Sequence, residues 1–395
     1  MAANELSINQ LSTVLNSIHS QATGKTAIAV TDTSSFVTVA QATLKAGYDP
    51  VLQAISQVLS RTIFSIRPYN AKFKGLMADS IRYGNHVRKL QTIDKPFEDD
   101  VRTLLTDTYS VDQYVVNKPV VLQTNYYGEE TFAKSLTIFR DQLDTAFSTP
   151  EEFQRFLAMV MGNASDMIEQ AHENVARATL ANFIGGKVVT EPVGGNEQVV
   201  HMITEYNTET GLSIDAEDLA QPETFATFWK WAYAKIAEIS ALMTERSILY
   251  HTNITDKEIM RHTPANLQKV YLFNPFKFKI DAMVLSSAYH DNYLKYADKE
   301  VVNFWQSIQT PDTIKVKPVY MDSTDGSLVN AEAAITQANV FGVIFDEEAV
   351  GITTVNQWSA PTPFNAKGGY SNMFWHFTDR YWNDFTENGV VLLLD

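Results

Sequence analysis

A chain of 395 residues with 45% apolar and 11% aromatic side chains can bury a sizeable core as two or three domains, or as one large body with excursions, which excludes wholesale disorder. The sequence has no cysteine, which excludes disulfides, thiolate catalysis and zinc–sulfur sites and points to a reducing compartment. A net charge of −15 argues against coating nucleic acid, residues 1–30 lack a secretory pattern, and the apolar runs fall far short of the ~20 residues of a membrane span.

Residues 1 to about 50 are rich in Ala, Ser, Thr and Asn and weakly periodic, the composition of an arm ordered by contact rather than by its own core. Within it Gly24-Lys25-Thr26 imitates the end of a phosphate-binding loop. The motif needs a glycine five residues earlier, where His19 stands, and a strand leading in, so nucleotide binding is not expected.

Charge is then distributed in blocks. From Arg61 to Lys95 the basic residues Arg61, Arg67, Lys72, Lys74, Arg82, Arg88, Lys89 and Lys95 face only Asp79 and Asp94, a net +6. From Pro96 to Gln113 the acids Glu98, Asp99, Asp100, Asp107 and Asp112 face only Arg102, a net −4. Short alternating segments with Gly84-Asn85 and Lys118-Pro119 predict a long two-stranded excursion over 65–125, returning along Pro119–Tyr127. The opposite charge of the two segments reads either as ordinary surface variation or as two arms of one protruding loop that pair with neighbouring subunits. The contact residues expected are Arg82, Arg88, Lys89, Lys95, Glu98, Asp99 and Asp100.

Thr149-Pro150-Glu151-Glu152 reads as a helix start with an N-cap, a first-turn proline and a capping box. Phe153, Leu157, Val160, Ala164, Met167, Ala171, Ala178 and Ala181 then predict one buried face, with Gly185-Gly186 as the stop. The helix so read has roughly 35 residues and spans about 50 Å. Met159, Met161 and Met167 are read as packing rather than as metal ligands. A second helix is expected from near Pro222 to about Arg246, burying Phe225, Phe228, Trp229, Ala232, Ile236, Ile239 and Met243, after an acidic crossing over 187–221. Strands are expected at Val270–Phe273 before an Asn274-Pro275 turn, at Thr313–Tyr320, from Val340 onward, and at the apolar terminus Gly389–Asp395.

Asp346-Glu347-Glu348 sits between two apolar runs. Adjacent carboxylates on a solvated hairpin tip neither gain a raised pKa nor face one another across a substrate, so the triplet reads as a turn that tolerates Asn or Gln. His251 and His262, with Asp256 and Glu258 between them, match no metal spacing and read as solvated loop residues. The aromatic stretch Phe374–Asn383 suits a core or an interface better than a stacking platform for sugars or bases. Neither a nucleophile elbow nor a dinucleotide fingerprint is present, and no catalytic, cofactor-binding or metal site is expected.

In order, these features resemble the major capsid proteins of tailed bacteriophages with the Hong Kong 97-type fold. The resemblance covers nearly the whole chain and rests on element order. Ser148–Gly186 looks like the spine helix, Val270–Val284 like a strand and turn of the axial domain, and Val340–Asn356 like the late hairpin. It implies an α+β fold with an N-terminal arm (1–62), an extended E-loop (63–130), a P-domain (131–200, spine helix about 150–184), an A-domain (201–339) and C-terminal strands (340–395) returning to the P- and A-domain sheets. It further implies a non-enzymatic shell protein without cofactors that is assembled in the host cytoplasm into hexamers and pentamers around packaged DNA, which it does not read by sequence. Portal and decoration proteins are the implied partners. The short arm implies a separate scaffolding protein or none, and no Lys–Asn cross-linking pair can be assigned. A tail or baseplate structural protein is the rival reading, with a soluble hydrolase behind it.

Overall fold

The computed structural model describes residues 8–26, 33–59, 73–78, 87–93, 114, 120–157, 163–191, 197–255, 259–285 and 299–395. The segment expected to lack a core instead folds into three helices, α1 (Ile8–Thr23), α2 (Thr33–Leu44) and α3 (Tyr48–Leu59). Leu11, Leu15 and Ile18 share a core with Phe36, Val39, Val51, Leu52 and Ile55. Spacings of three and four residues bury one face of each helix, although small polar residues dominate the rest. Gly24, at φ +68°, ends α1 and bonds back to the Ser20 carbonyl at 2.9 Å. The Gly-Lys-Thr trio therefore follows a helix, whereas a phosphate loop opens one.

Two strands, β1 (Val87–Ile93) and β2 (Val120–Tyr126), pair antiparallel from Val87 opposite Tyr126 to Ile93 opposite Val120. This is the body end of the expected excursion. Next come β3 (Gly128–Phe139) and α4 (Arg140–Ala146). Thr149 Oγ1 then accepts the Glu152 N–H at 3.2 Å and starts α5 (Pro150–Leu157), as the capping pattern predicts. The long helix is α6 (Asn163–Val189). Met159 and Met161 lie outside the described residues. Met167 is 44% exposed, so the predicted register is wrong there; Val175, Ala176, Leu180, Phe183 and Ile184 carry the buried face. Nor do the two glycines stop the helix. A Cβ on Gly185 would lie 2.6 Å from Val316 and one on Gly186 2.6 Å from Phe385, so both serve close packing.

Beyond α6, β4 (Val199–His201), α7 (Met202–Thr210) and α8 (Pro222–Leu242) fill what the sequence presents as a crossing and the second helix. Phe228, Trp229, Ala232, Ile236, Ile239 and Met243 are buried as expected. Strand β5 (Gln268–Phe273) runs into α9 (Asn274–Leu285), so Asn274-Pro275 opens a helix instead of a turn. After β6 (Lys299–Val302), the strand expected over Thr313–Tyr320 breaks before Pro318 into β7 (Ile314–Val316) and β8 (Val319–Met321). These pair with β10 (Ile335–Gln337) and β9 (Leu328–Asn330) respectively.

The last strands are β11 (Val340–Asp346), β12 (Val350–Pro361), β13 (Tyr370–Asn383) and β14 (Gly389–Leu393). The main sheet runs β4-β14-β11-β5-β6 and lies in the core shared with α6, α7 and α8; a second sheet runs β12-β13-β3. Strand β14 is wholly buried between β4 and β11, as its composition demands. The expected hairpin of β11 with β12 does not form. Both edges of β11 are taken by β5 and β14, so the chain crosses at residues 347–349 from one sheet to the other. Helix α6 joins the two layers. His172 Nδ1 meets the wholly buried Asp379 of β13, and Arg177 pairs with Glu173 with its guanidinium 4.8 Å from the Phe73 ring and 3.8 Å from that of Phe304.

Candidate functional site

Period-two alternation divides the β1–β2 ribbon into two faces. Val87, Lys89, Gln91, Leu122, Thr124 and Tyr126 are shielded, whereas Arg88, Leu90, Val121 and Gln123 are exposed. Leu90 is 57% and Val121 56% exposed, an unusual commitment of β-forming apolar residues to the surface. Consecutive Arg88 and Lys89 thus have different roles. Arg88 stays on the outward face, as a contact residue requires.

Lys89 does not. Its ammonium lies 2.9 Å from Glu348 Oε2, 3.0 Å from Asp384 Oδ2 and 2.7 Å from Glu387 Oε1, inside the same chain. Glu348 belongs to the crossing between β11 and β12; Asp384 and Glu387 belong to the turn between β13 and β14. One register step along β1, Gln91 Nε2 donates to Glu387 Oε1 at 3.1 Å, and Arg261 donates to Gln91 Oε1. Arg261 Nε also sits 3.2 Å from Glu387 Oε1 and donates to the Thr386 carbonyl at 3.0 Å. Asp384 Oδ1 accepts the Thr386 N–H at 2.9 Å and its hydroxyl at 2.6 Å, which closes the turn.

The electrostatics follow from burial and partners. Burial alone would lower the Lys89 pKa, but the Asp384 and Glu387 carboxylates outweigh it and raise it. Burial works against the charge of Asp384, yet Lys89 and the Thr386 donors hold its carboxyl below the usual range. Glu387 ends above its ordinary value because desolvation exceeds the help from Lys89 and Arg261. Beneath the junction Lys187 is fully buried, donates to Gln198 Oε1 at 2.6 Å and is lowered to about 7 by desolvation, with Asp384 opposing.

Of the other residues proposed for subunit contacts, Arg82, Lys95, Glu98, Asp99 and Asp100 lie outside the described residues. Asp346 departs from the solvated-turn reading. It is 7% exposed, its Oδ2 accepts the Thr263 hydroxyl at 2.8 Å, and its Oδ1 accepts the Glu348 N–H at 2.9 Å. His251 is likewise buried, not solvated: Nδ1 meets Asn388 Oδ1 at 3.2 Å, Nε2 meets the Ile259 carbonyl at 2.5 Å, and desolvation lowers it to about 4. His262 is exposed. Trp375 and Phe377 are buried, and His376 stacks on the half-exposed Trp358 at 4.1 Å. Among the described residues no group of three or more His, Asp or Glu is placed to hold a metal ion, and no helix is long and apolar enough to cross a membrane.

Sequence reasoning missed Asp384, Glu387, Glu348, Gln91 and Arg261. The run Asp384-Phe385-Thr386-Glu387-Asn388-Gly389 carries a readable turn signal, but nothing local says that its acids face Lys89.

The family model of Phi29-like phage major capsid proteins matches residues 11–393. No curated protein matches the chain. Its structure is similar to a chain in the capsid structure of Staphylococcus phage Andhra, with TM-score 0.54 and 11% identity, covering 85% of this chain and 87% of that one. It is also similar to a chain in the structure of head fiber and inner core protein gp22 of native bacteriophage P68, with TM-score 0.55 and 12% identity at the same coverage, 85% and 87%.

Proposed function

Because the chain belongs to the family of Phi29-like phage major capsid proteins, whose subunits build an icosahedral shell by self-association, we propose that the β1–β2 ribbon is the arm by which one copy engages the next. The observation that carries this reading is the division of the ribbon: an inward face tied to its own body and an outward face exposing Leu90, Val121 and Arg88. Contacts that close into rings and shells join non-identical patches, and exposed apolar residues beside a polar rim suit such a patch. The capsid fold is a mixed one related to the Hong Kong 97 type. In its terms, residues 63–130 are the extended loop, α6 with the β12-β13-β3 sheet forms the peripheral domain and its spine, and residues 201–339 form the axial domain. Residues 340–395 return as strands to both sheets, and residues 1–62 are the N-terminal arm, here helical over most of its length.

In this reading copies assemble in the host cytoplasm as hexamers and pentamers, with scaffolding, portal and decoration proteins as partners. Packaged DNA is enclosed without sequence readout, in keeping with the net charge of −15. The test is Leu90→Glu with Val121→Glu, followed by sedimentation and electron microscopy. Loss of shells with an unchanged circular dichroism spectrum is the expected result. Shells formed at the wild-type yield would remove the ribbon's outward face from assembly.

A further inference from the structure

We propose that Lys89 is a positioning residue: held between the crossing of β11 to β12 and the turn of β13 to β14, it sets the direction in which the ribbon leaves the body, and so the pose in which it meets a neighbour. The proposal deepens the assembly role of the ribbon given above and rests on it.

A two-stranded ribbon has little stability or direction of its own. Beyond Tyr126 only Tyr127 links β2 to β3, and the apolar packing of the ribbon on the body core, through Leu122, is non-directional. Three carboxylates lie within 3.0 Å of the ammonium, and that of Glu387 accepts its hydrogen bond at 2.7 Å, a charge-assisted bond that fixes distance and angle together. The anchors come from two connections that lead into different sheets, so their separation restrains rotation as well as translation. Gln91 adds a second strut two residues along the same face. It donates to Glu387, which also takes Lys89, and accepts from Arg261.

Stability is a poor explanation for this arrangement. Removing a lysine and an aspartate from water costs about as much as their attraction returns, and well-packed apolar residues at such a junction stabilise a fold equally well. A greasy junction would hold the ribbon without fixing its direction. The ionic junction holds it in one, before any neighbour is present.

The sequence has no cysteine, so paired spin labels can be placed cleanly. Leu90→Cys lies on the outward ribbon face and Lys230→Cys on the exposed side of α8. Distances are read by double electron–electron resonance in dilute, unassembled protein, in the parent, in Lys89→Arg and in Lys89→Met with Asp384→Asn. The double change removes the ammonium together with the most deeply buried of its carboxylates, while Glu387 keeps Arg261 at 3.2 Å and Lys187 keeps Gln198. The parent and Lys89→Arg are expected to give a single narrow distance peak. The double variant should keep the melting temperature but lose that peak, and its shells should vary in diameter.

A double variant that melts like the parent and keeps the narrow peak would overturn the proposal. If that variant does not fold, Glu348→Gln removes one anchor whose side chain is 66% exposed, and an unbroadened peak there overturns it equally. Because the distances are read without assembly, a broadened peak with uniform shells would separate failure of the ribbon's role between copies from failure of the positioning role, and would sink the link between pose and shell.

Discussion

Arg88 and Lys89 are joined by one peptide bond and face opposite ways, Arg88 to solvent and Lys89 onto Asp384 at 3.0 Å. The pleat of β1 alone causes this division. Arg88→Glu is expected to leave stability within about ±0.5 kcal/mol and to lower shell yield, most at low ionic strength, where charges are least screened. Lys89→Glu puts a fourth carboxylate among three and is expected to cost about 3–5 kcal/mol of folding stability. Urea melts of the two single variants, beside sedimentation across a salt series, separate the two effects. Equal melting of both variants would refute the two-faced ribbon.

Asp346, Glu347 and Glu348 are adjacent but not equivalent. Replacing Asp346 by Ala strands the Thr263 hydroxyl and the Glu348 N–H and is expected to cost about 1–3 kcal/mol. Glu347→Gln changes a surface group and is expected to cost less than about 0.5 kcal/mol. Chemical denaturation of each variant checks the contrast, and similar midpoints would return Asp346 to the solvent.

On α6 the exposed and buried faces can be tested against each other. Met167→Asp is expected to fold and assemble, with a change within about 0.5 kcal/mol. Phe183 is wholly buried with its ring 5.4 Å from that of Phe385, and Phe183→Ala is expected to cost about 3–5 kcal/mol. Thermal melting with circular dichroism reads both. An unfolded Met167→Asp protein would restore the register expected from the apolar spacing.

Lys187 makes stability depend on pH. Its pKa is about 7 in the folded chain against 10.5 unfolded, so between those values the unfolded chain binds more protons. Stability therefore rises with pH from about 7 toward 10.5, and the burden of a buried ammonium is fully present below 7. His251, lowered to about 4 from 6.5, acts with the same sign in acid: stability is lost as pH falls from 6.5 through 4. Urea melts from pH 5 to 9.5 of the parent and of Lys187→Met check this. The variant should lose the upward slope above pH 7, and a slope that persists would assign it to another group.

Local patterns in the sequence determined the elements whose causes are local. The Thr149 cap and Pro150 start α5, the aromatic stripe buries one side of α8, alternation makes β1 and β2 a ribbon, and the apolar terminus can only be a strand inside a sheet. Each signal lies within a few residues of the structure it specifies, so chain order and element type suffice to point to a capsid fold. Tertiary structure decided what depends on distant partners. Whether β11 pairs with β12 depends on β5 and β14 already occupying its edges. Whether Gly185 and Gly186 end a helix depends on Val316 and Phe385 approaching it. Whether Lys89 faces a neighbour or its own body depends on Asp384 and Glu387, almost 300 residues later in the chain. Burial and ion pairing are set by what packs against a residue, and period and composition do not record that partner.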